Sequence, residues 1–326
     1  MSDKLRQQAE ENKILEIKCG SHLYGTNTPQ SDEDFVGIFM PPEEYVYGLQ
    51  SVQEVELGIK DKNAEGKNTA DAVDRKLYEF RKFVSLAQGN NPNIIEILFV
   101  NPDNVLFIND CGKELLKHKH LFPSKLAAKK FVGYAHSQRH KMIIKRDHFN
   151  DLRDGYTYLS KFNDKDTMSQ VFDRHCKDAQ DPMYCTPDTF NKNKGFHIKC
   201  GDLNFEPGIY VKKARRMLED RLSKITNRSE LVLKYGYDTK FASHLIRLLS
   251  EGLYILKHGE VVFPLSNAEE ILAIKNGSMT IKEVIAYADK LEEQLDLVLK
   301  GSTLPATPYH KDIQKLTIKM MKLHLH

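Results

Sequence analysis

Much of what would place this chain quickly is missing from it. It has no long Ser, Gly or Pro tract, so it does not read as a disordered or linker-rich polypeptide. It has no apolar run near the roughly 20 residues that a membrane helix needs, and no membrane role is expected. Met1 to Asn12 is polar and charged, unlike a signal peptide or an anchor. The five cysteines are an odd number and include no CxxC pair, which argues against a disulfide framework and for a reducing, cytoplasmic compartment. A large charge of one sign is lacking too: the formal net charge is +3, too small to announce a nucleic-acid binder by itself. No internal repeat is visible.

What is present is a folded-protein balance of 40% apolar and 29% charged residues over 326 positions, enough for one large domain or two ordinary ones. The cations are unevenly spread. Lys212, Lys213, Arg215, Arg216, Arg221 and Lys224 crowd one segment; Lys125, Lys129, Lys130, Arg139, Lys141, Lys145 and Arg146 crowd another. Such clusters either steer polyanions or simply solvate a helix face.

Periodicity divides the chain near residue 108. "KILEIKC" (13–19) alternates as a half-buried strand and runs into Gly20. "FVGIFMPP", stopped by Pro41 and Pro42, reads as a second strand, and "SVQEVELG" (51–58) and "DAVDRKLY" (71–78) as two more, joined by a loop over 59–68. "EFRKFVSLAQG" has helical spacing with Gly89 as its stop, and Asn91-Pro92 looks like a cap and first-turn proline. Beyond 110, helical patterns dominate at 124–146, 210–225, 239–257, 267–275 and 281–299. The expected fold class is therefore α+β: a mixed-sheet domain over 1–108, then a mostly α-helical domain over 109–326, with an irregular Cys/His-containing segment at 150–207.

The chemistry concentrates in "GSHLYGTNTPQSDEDF" (20–35). Asp32 and Asp34 stand two apart, so on a strand both carboxylates project from one face and offer Mg²⁺ the hard oxygen ligands it prefers. Gly20 and Gly25 let backbone approach phosphate closely, and the Ser21 hydroxyl can donate to it. Glu33 points the other way and is excluded as a ligand; His22 is given no role. The plain alternative is an acidic turn.

Gly-Ser followed by Asp-x-Asp on the next strand resembles the active-site signature of the polymerase-beta-like nucleotidyltransferase superfamily. "DRKLYEFRKFVSLAQGNNPNIIEILF" (74–99) is similar to the block that follows in the RlaP-type, RNA-repair-associated group, with bacterial and phage members. That resemblance implies a palm-like sheet and makes Asp74 the third metal-binding carboxylate, with Glu79 as the alternative if the register differs and Asp71 on the opposite face. It implies a two-metal Mg²⁺ site, with Mn²⁺ as a substitute, and an NTP substrate. "KYGYDTKFASHLIRLLSEG" (234–252) matches as well. There Lys240, His244 and Arg247 fall at i, i+4 and i+7, so one helix face presents three phosphate donors or, alternatively, a solvated stripe.

The implied activity is transfer of an NMP from an NTP to an RNA acceptor, a tRNA among the candidates, with release of pyrophosphate. Two rivals keep part of this: AMP transfer to a protein or small molecule, and a catalytically idle NTP-binding protein. Two weaker features remain. His175, Cys176, Cys185, His197 and Cys200 could include a zinc site, although their spacing matches no named finger. Tyr134 and Gln138 share a helix face that suits a base or ribose, beside Arg139, His140 and Lys141.

Overall fold

The computed structural model describes residues 3–29, 31–58, 73–177, 191–192, 198–223, 231–232 and 234–325. The sheet-forming half opens with helix α1 (Asp3–Glu11), strand β1 (Lys13–Cys19), the short helix α2 (Ser21–Tyr24) and strand β2 (Asp34–Phe39). Helix α3 (Glu43–Val46), β3 (Glu54–Glu56), β4 (Asp74–Glu79), α4 (Phe80–Gln88) and α5 (Pro92–Ile95) follow, and β5 (Val105–Ile108) completes the sheet. The five strands lie in the order β3-β4-β2-β1-β5. Strand β2 pairs antiparallel with β1 and parallel with β4, so the sheet is mixed and the fold is α+β.

Strand β1, expected to alternate as a half-buried strand, instead buries four successive residues from Ile14 to Ile17, and the apolar run of β2 is buried toward its end. Leu15, Ile17, Ile38, Phe39 and Leu77 are all fully buried. Helix α1 lays Leu5 and Ala9 against Phe39, Val55 and Leu77. Each such aliphatic or aromatic side chain contributes roughly 1.5–3 kcal/mol of burial. Asn91 caps α5 by accepting from the Asn93 N–H at 3.1 Å, with Pro92 in the first turn, as the Asn-Pro pair suggested. Glu79 caps α4 in the same way, accepting from the Lys82 N–H at 2.9 Å.

The helices beyond are α6 (Asp110–Lys117), α7 (Leu126–Leu159), α8 (Met168–Lys177) and α9 (Val211–Ser223). Then come α10 (Thr239–His258), α11 (Ala268–Lys275), α12 (Ile281–Gly301) and α13 (His310–Leu325). Several elements exceed the sequence reading. Helix α1 is too polar to show a strong stripe, β5 has only four residues, and α7 runs well past 146 because Phe149, Leu152 and Tyr158 continue its buried side. Within 150–207 the described residues form the end of α7, helix α8 and a small three-stranded sheet containing β7 (Ile198–Cys200) and β8 (Leu203–Phe205), after β6 (Asn191–Lys192). The expected loop at 59–68 lies outside the described residues.

The chain forms two compact units that do not follow chain order. The first joins Met1–His136 with His244–Ile274 and Ile285–His326; the second joins Ser137–Ser243 with Lys275–Val284. Within the first, the last helix returns to the N-terminal region: Tyr309 N–H donates to the Leu121 carbonyl at 3.0 Å, and Lys319 Nζ reaches Glu114 at 2.6 Å. The second has its own core, in which Leu159, Met168, Val171, Ile198, Phe205 and Leu218 pack together.

Candidate active site

Strand β1 ends at Cys19, and the chain turns at once through Gly20. That residue has φ 65° and ψ −141°, a conformation that glycine alone adopts without strain. A Cβ there would stand 2.6 Å from Asp34 Oδ2, so the glycine also makes room for a carboxylate. Asp34 opens β2 and is registered with Cys19 on one side and with Asp74 on the other. Partners in adjacent strands project to the same face, so the register places the Asp34 and Asp74 carboxylates on one side of the sheet.

The electrostatics fit that placement. Burial pushes the Asp34 carboxyl above its usual range, the negative charges of Asp74 and Asp32 push it further, and His22 pulls weakly the other way. Asp32 itself lies two residues ahead of β2 and is exposed. Lys18, the nearby cation that could have relieved this crowding, is bonded instead to Glu33 at 2.6 Å. Glu33 is thereby turned to an outer ion pair and away from Asp34. The donor set is hard oxygen with uncompensated negative charge, which suits Mg²⁺ or Mn²⁺. Among the described residues no three His, Cys, Asp or Glu side chains are drawn together as a finished cage.

Glu79 is not part of this group. It lies five positions along β4 from Asp74, hence on the opposite face, and its carboxylate caps α4 while accepting from Arg81 Nε at 2.7 Å. Asp71 lies outside the described residues.

The Gly-Ser turn is held from below by a buried charge cluster. Tyr24, at the end of α2, donates its hydroxyl to both Glu96 oxygens at 3.0 Å. Arg247 Nη1 reaches Glu96 Oε2 at 3.2 Å and the two Glu251 oxygens at 2.9 and 3.1 Å. The guanidinium lies 4.2 Å from the Tyr24 ring centroid. Tyr24 is 9% exposed, and Glu96, Arg247 and Glu251 no more than 5%. Two carboxylates sharing one guanidinium out of water keep a net negative charge, and burial pushes Glu96 up to about 8 and Glu251 upward as well. The adjoining Gly25 is left-handed at φ 76°, packed so that a Cβ would meet Pro264 Cβ at 2.7 Å, and the Leu265 N–H donates to the Tyr24 carbonyl at 3.2 Å.

The expected three-donor face of α10 therefore divides. Lys240 and His244 are exposed, but Arg247 is 5% exposed and already engaged by two carboxylates. Spacing put the three on one face; it could not show that the last turn is covered by Tyr24 and Glu96. Sequence reasoning passed over Glu96, though a lone acid inside the apolar run "NIIEILF" was a usable signal, and over Glu251, four residues after Arg247. It also set aside His22, whose Nε2 is buried without a partner among the described residues. Tyr134 accepts from Asn91 Nδ2 at 3.0 Å, a packing role. Of the zinc candidates, Cys185 and His197 lie outside the described residues, and Cys200 donates its thiol to the Asp151 carbonyl at 3.2 Å.

Comparison with known proteins bears on the same half of the chain. Residues 2–161 match the model of RlaP, the RNA repair pathway DNA polymerase beta family. That stretch, just under half of the chain, is similar to the family. The chain is 28% identical over 309 residues to an uncharacterized 38.9 kDa protein in the nrdC–mobD intergenic region of Enterobacteria phage T4, covering 89% of each chain. No solved structure matches significantly. The matched stretch contains the Gly-Ser turn and the Asp34–Asp74 pair, and polymerase-beta-like nucleotidyltransferases in general use an NTP and divalent metal. No described helix is long and apolar enough to cross a membrane.

Proposed function

We propose that the chain is a metal-dependent nucleotidyltransferase that moves an NMP from an NTP to an RNA acceptor and releases pyrophosphate. The observation that carries the reading is the residue-for-residue register of Asp34 with Asp74 beside a glycine turn whose missing Cβ leaves space for the Asp34 carboxylate. Asp32, Asp34 and Asp74 would hold Mg²⁺, which when bound supplies charge neutralisation for the triphosphate and acidifies the attacking hydroxyl.

The remaining work falls to the chain. Ser21 donates its hydroxyl to a phosphate oxygen, and Gly20 lets the triphosphate approach the backbone. The acceptor hydroxyl forms the new O–P bond at the α-phosphorus while the bond to pyrophosphate breaks; the exposed Asp74 carboxylate takes the proton. His244, exposed on α10 and in the same unit as the aspartates, would meet the leaving pyrophosphate. Arg247 acts from inside, holding Tyr24 and so the turn. The 1–108 segment, on this reading, is the catalytic domain and 109–326 the helical accompaniment.

Incubating the full chain with each α-labelled NTP, with and without total RNA, tests this. Label is expected in RNA, in a metal-dependent manner, and is lost in Asp34→Asn. Label in protein or in a small molecule instead would move the acceptor to the AMP-transfer reading, and label nowhere would favour an idle NTP binder.

A further inference from the structure

The second compact unit carries a cationic surface that the catalytic reading leaves unused. Helix α9 places Lys212, Lys213 and Arg216 on its exposed side, opposite the buried Val211, Ala214 and Leu218. Three cations in the first two turns run against the helix macrodipole, which favours acids there, so helix stability does not account for them. The loop between α7 and α8 is pinned alongside: Val211 N–H donates to the Asp166 carbonyl at 2.8 Å and Lys212 N–H to the Asp164 carbonyl at 3.3 Å, which brings exposed Lys165 to the same end.

The neighbouring carboxylates are turned to internal tasks. Asp164 is ion-paired with Arg215, and Asp166 Oδ2 accepts from the Asn163 N–H at 3.0 Å. Asp202, farther along, is bonded to Arg221 Nη2 at 2.6 Å. Among the described residues none of these acids neutralises Lys165, Lys212, Lys213 or Arg216. Glu219 and Asp220 bound the patch one turn on. At its near end stands Tyr210, 59% exposed despite being a large aromatic, with its carbonyl fixed by the Lys213 and Ala214 N–H groups at 2.9 and 3.0 Å.

Cations that can follow a phosphate backbone, beside an uncovered aromatic ring on which a base can stack, are the pairing that single-stranded nucleic acid recognises. A purely acidic protein surface would use the cations but not the ring. We propose that Tyr210, Lys165, Lys212, Lys213 and Arg216 form a docking surface for single-stranded RNA, holding acceptor strand. This rests on the RNA-acceptor reading above but is measured without catalysis.

The test is binding of a fluorescent single-stranded RNA to the full chain without NTP, at several salt concentrations, with duplex RNA and anionic lipid vesicles as parallel arms. Four phosphate contacts predict a slope of log affinity against log salt of about −3. The triple change Lys212→Glu, Lys213→Glu, Arg216→Glu should weaken binding at least about tenfold and flatten the slope by about 2. Tyr210→Ala should weaken single-strand binding about fivefold or more and leave duplex binding unchanged. The three cations are exposed, so the melting temperature should hold; a neutral Lys212→Gln, Lys213→Gln, Arg216→Gln variant repeats the test if it does not. Wild-type affinity in the triple variants, equal losses on duplex in Tyr210→Ala, or preference for vesicles would overturn the proposal. Nucleotidyl transfer is judged separately, by pyrophosphate release in Asp34→Asn, so either idea can fail alone.

Discussion

Asp34 and Asp74 are direct partners in the parallel pairing of β2 with β4, so two carboxylates 40 positions apart in the chain share one face of the sheet. Burial first, and then the like charges of Asp74 and Asp32, raise the Asp34 pKa.

Asp34→Asn and Asp74→Asn should each cut NTP-dependent pyrophosphate release by about 100-fold or more, the scale at which electrostatic catalytic groups act. With a chelator present, the same changes relieve repulsion, so the melting temperature should stay level or rise. Adding Mg²⁺ should raise the wild-type melting temperature by ligand linkage and leave Asp34→Asn unmoved. Equal Mg²⁺ shifts in both proteins would remove Asp34 from the metal site.

Gly20→Ala meets two obstacles: a positive φ and the Asp34 carboxylate at 2.6 Å. We expect a loss of about 1–3 kcal/mol in urea unfolding, and lower activity even in the fraction that stays folded. A fully active, equally stable variant would mean that the turn is not held in this form.

The Arg247 cluster predicts a pH dependence with a definite sign. Glu96 is raised from 4.5 to about 8, so the folded chain keeps a proton that the unfolded chain releases. Its favourable share is complete below 4.5 and is lost as pH rises through about 8. The urea midpoint should therefore fall between pH 6 and pH 8.5, and Glu96→Gln should flatten that fall. Arg247→Met, which leaves both carboxylates buried without a cation, should cost about 3–5 kcal/mol. A neutral effect would show that the pair gives no net support.

Glu33 serves as the contrast. Its pairing with Lys18 is half exposed, at 52% for the carboxylate side chain, so Glu33→Gln should change stability by less than about 1 kcal/mol and leave pyrophosphate release intact. A collapse of activity would return Glu33 to the site.

How much could be read beforehand depended on range. Strands β1, β2 and β4 were visible because apolar patterning and its proline or glycine stops are local, and the Asn91 cap because its signal occupies adjacent residues. The pairing of Asp34 with Asp74, by contrast, rested on a family likeness, since register across 40 positions leaves no periodic trace. Arg247 shows the limit most clearly. Helical spacing put it with Lys240 and His244, yet its environment is made by Tyr24 and Glu96, more than 150 positions upstream. Burial of a charged side chain is a tertiary fact, and only the isolated Glu96 in an apolar run hinted at it.

The discontinuous first unit has a consequence for how the protein is made. Ribosomal synthesis delivers Tyr24 and Glu96 long before the Arg247 that joins them. Until then the N-terminal half carries a buried acid with no cation to meet it. A nascent chain stalled at residue 161, where the family match ends, would have Asp32, Asp34 and Asp74 and still lack the arginine that pairs with Glu96. The Glu96–Arg247 ion pair therefore cannot form before residue 247 has been made.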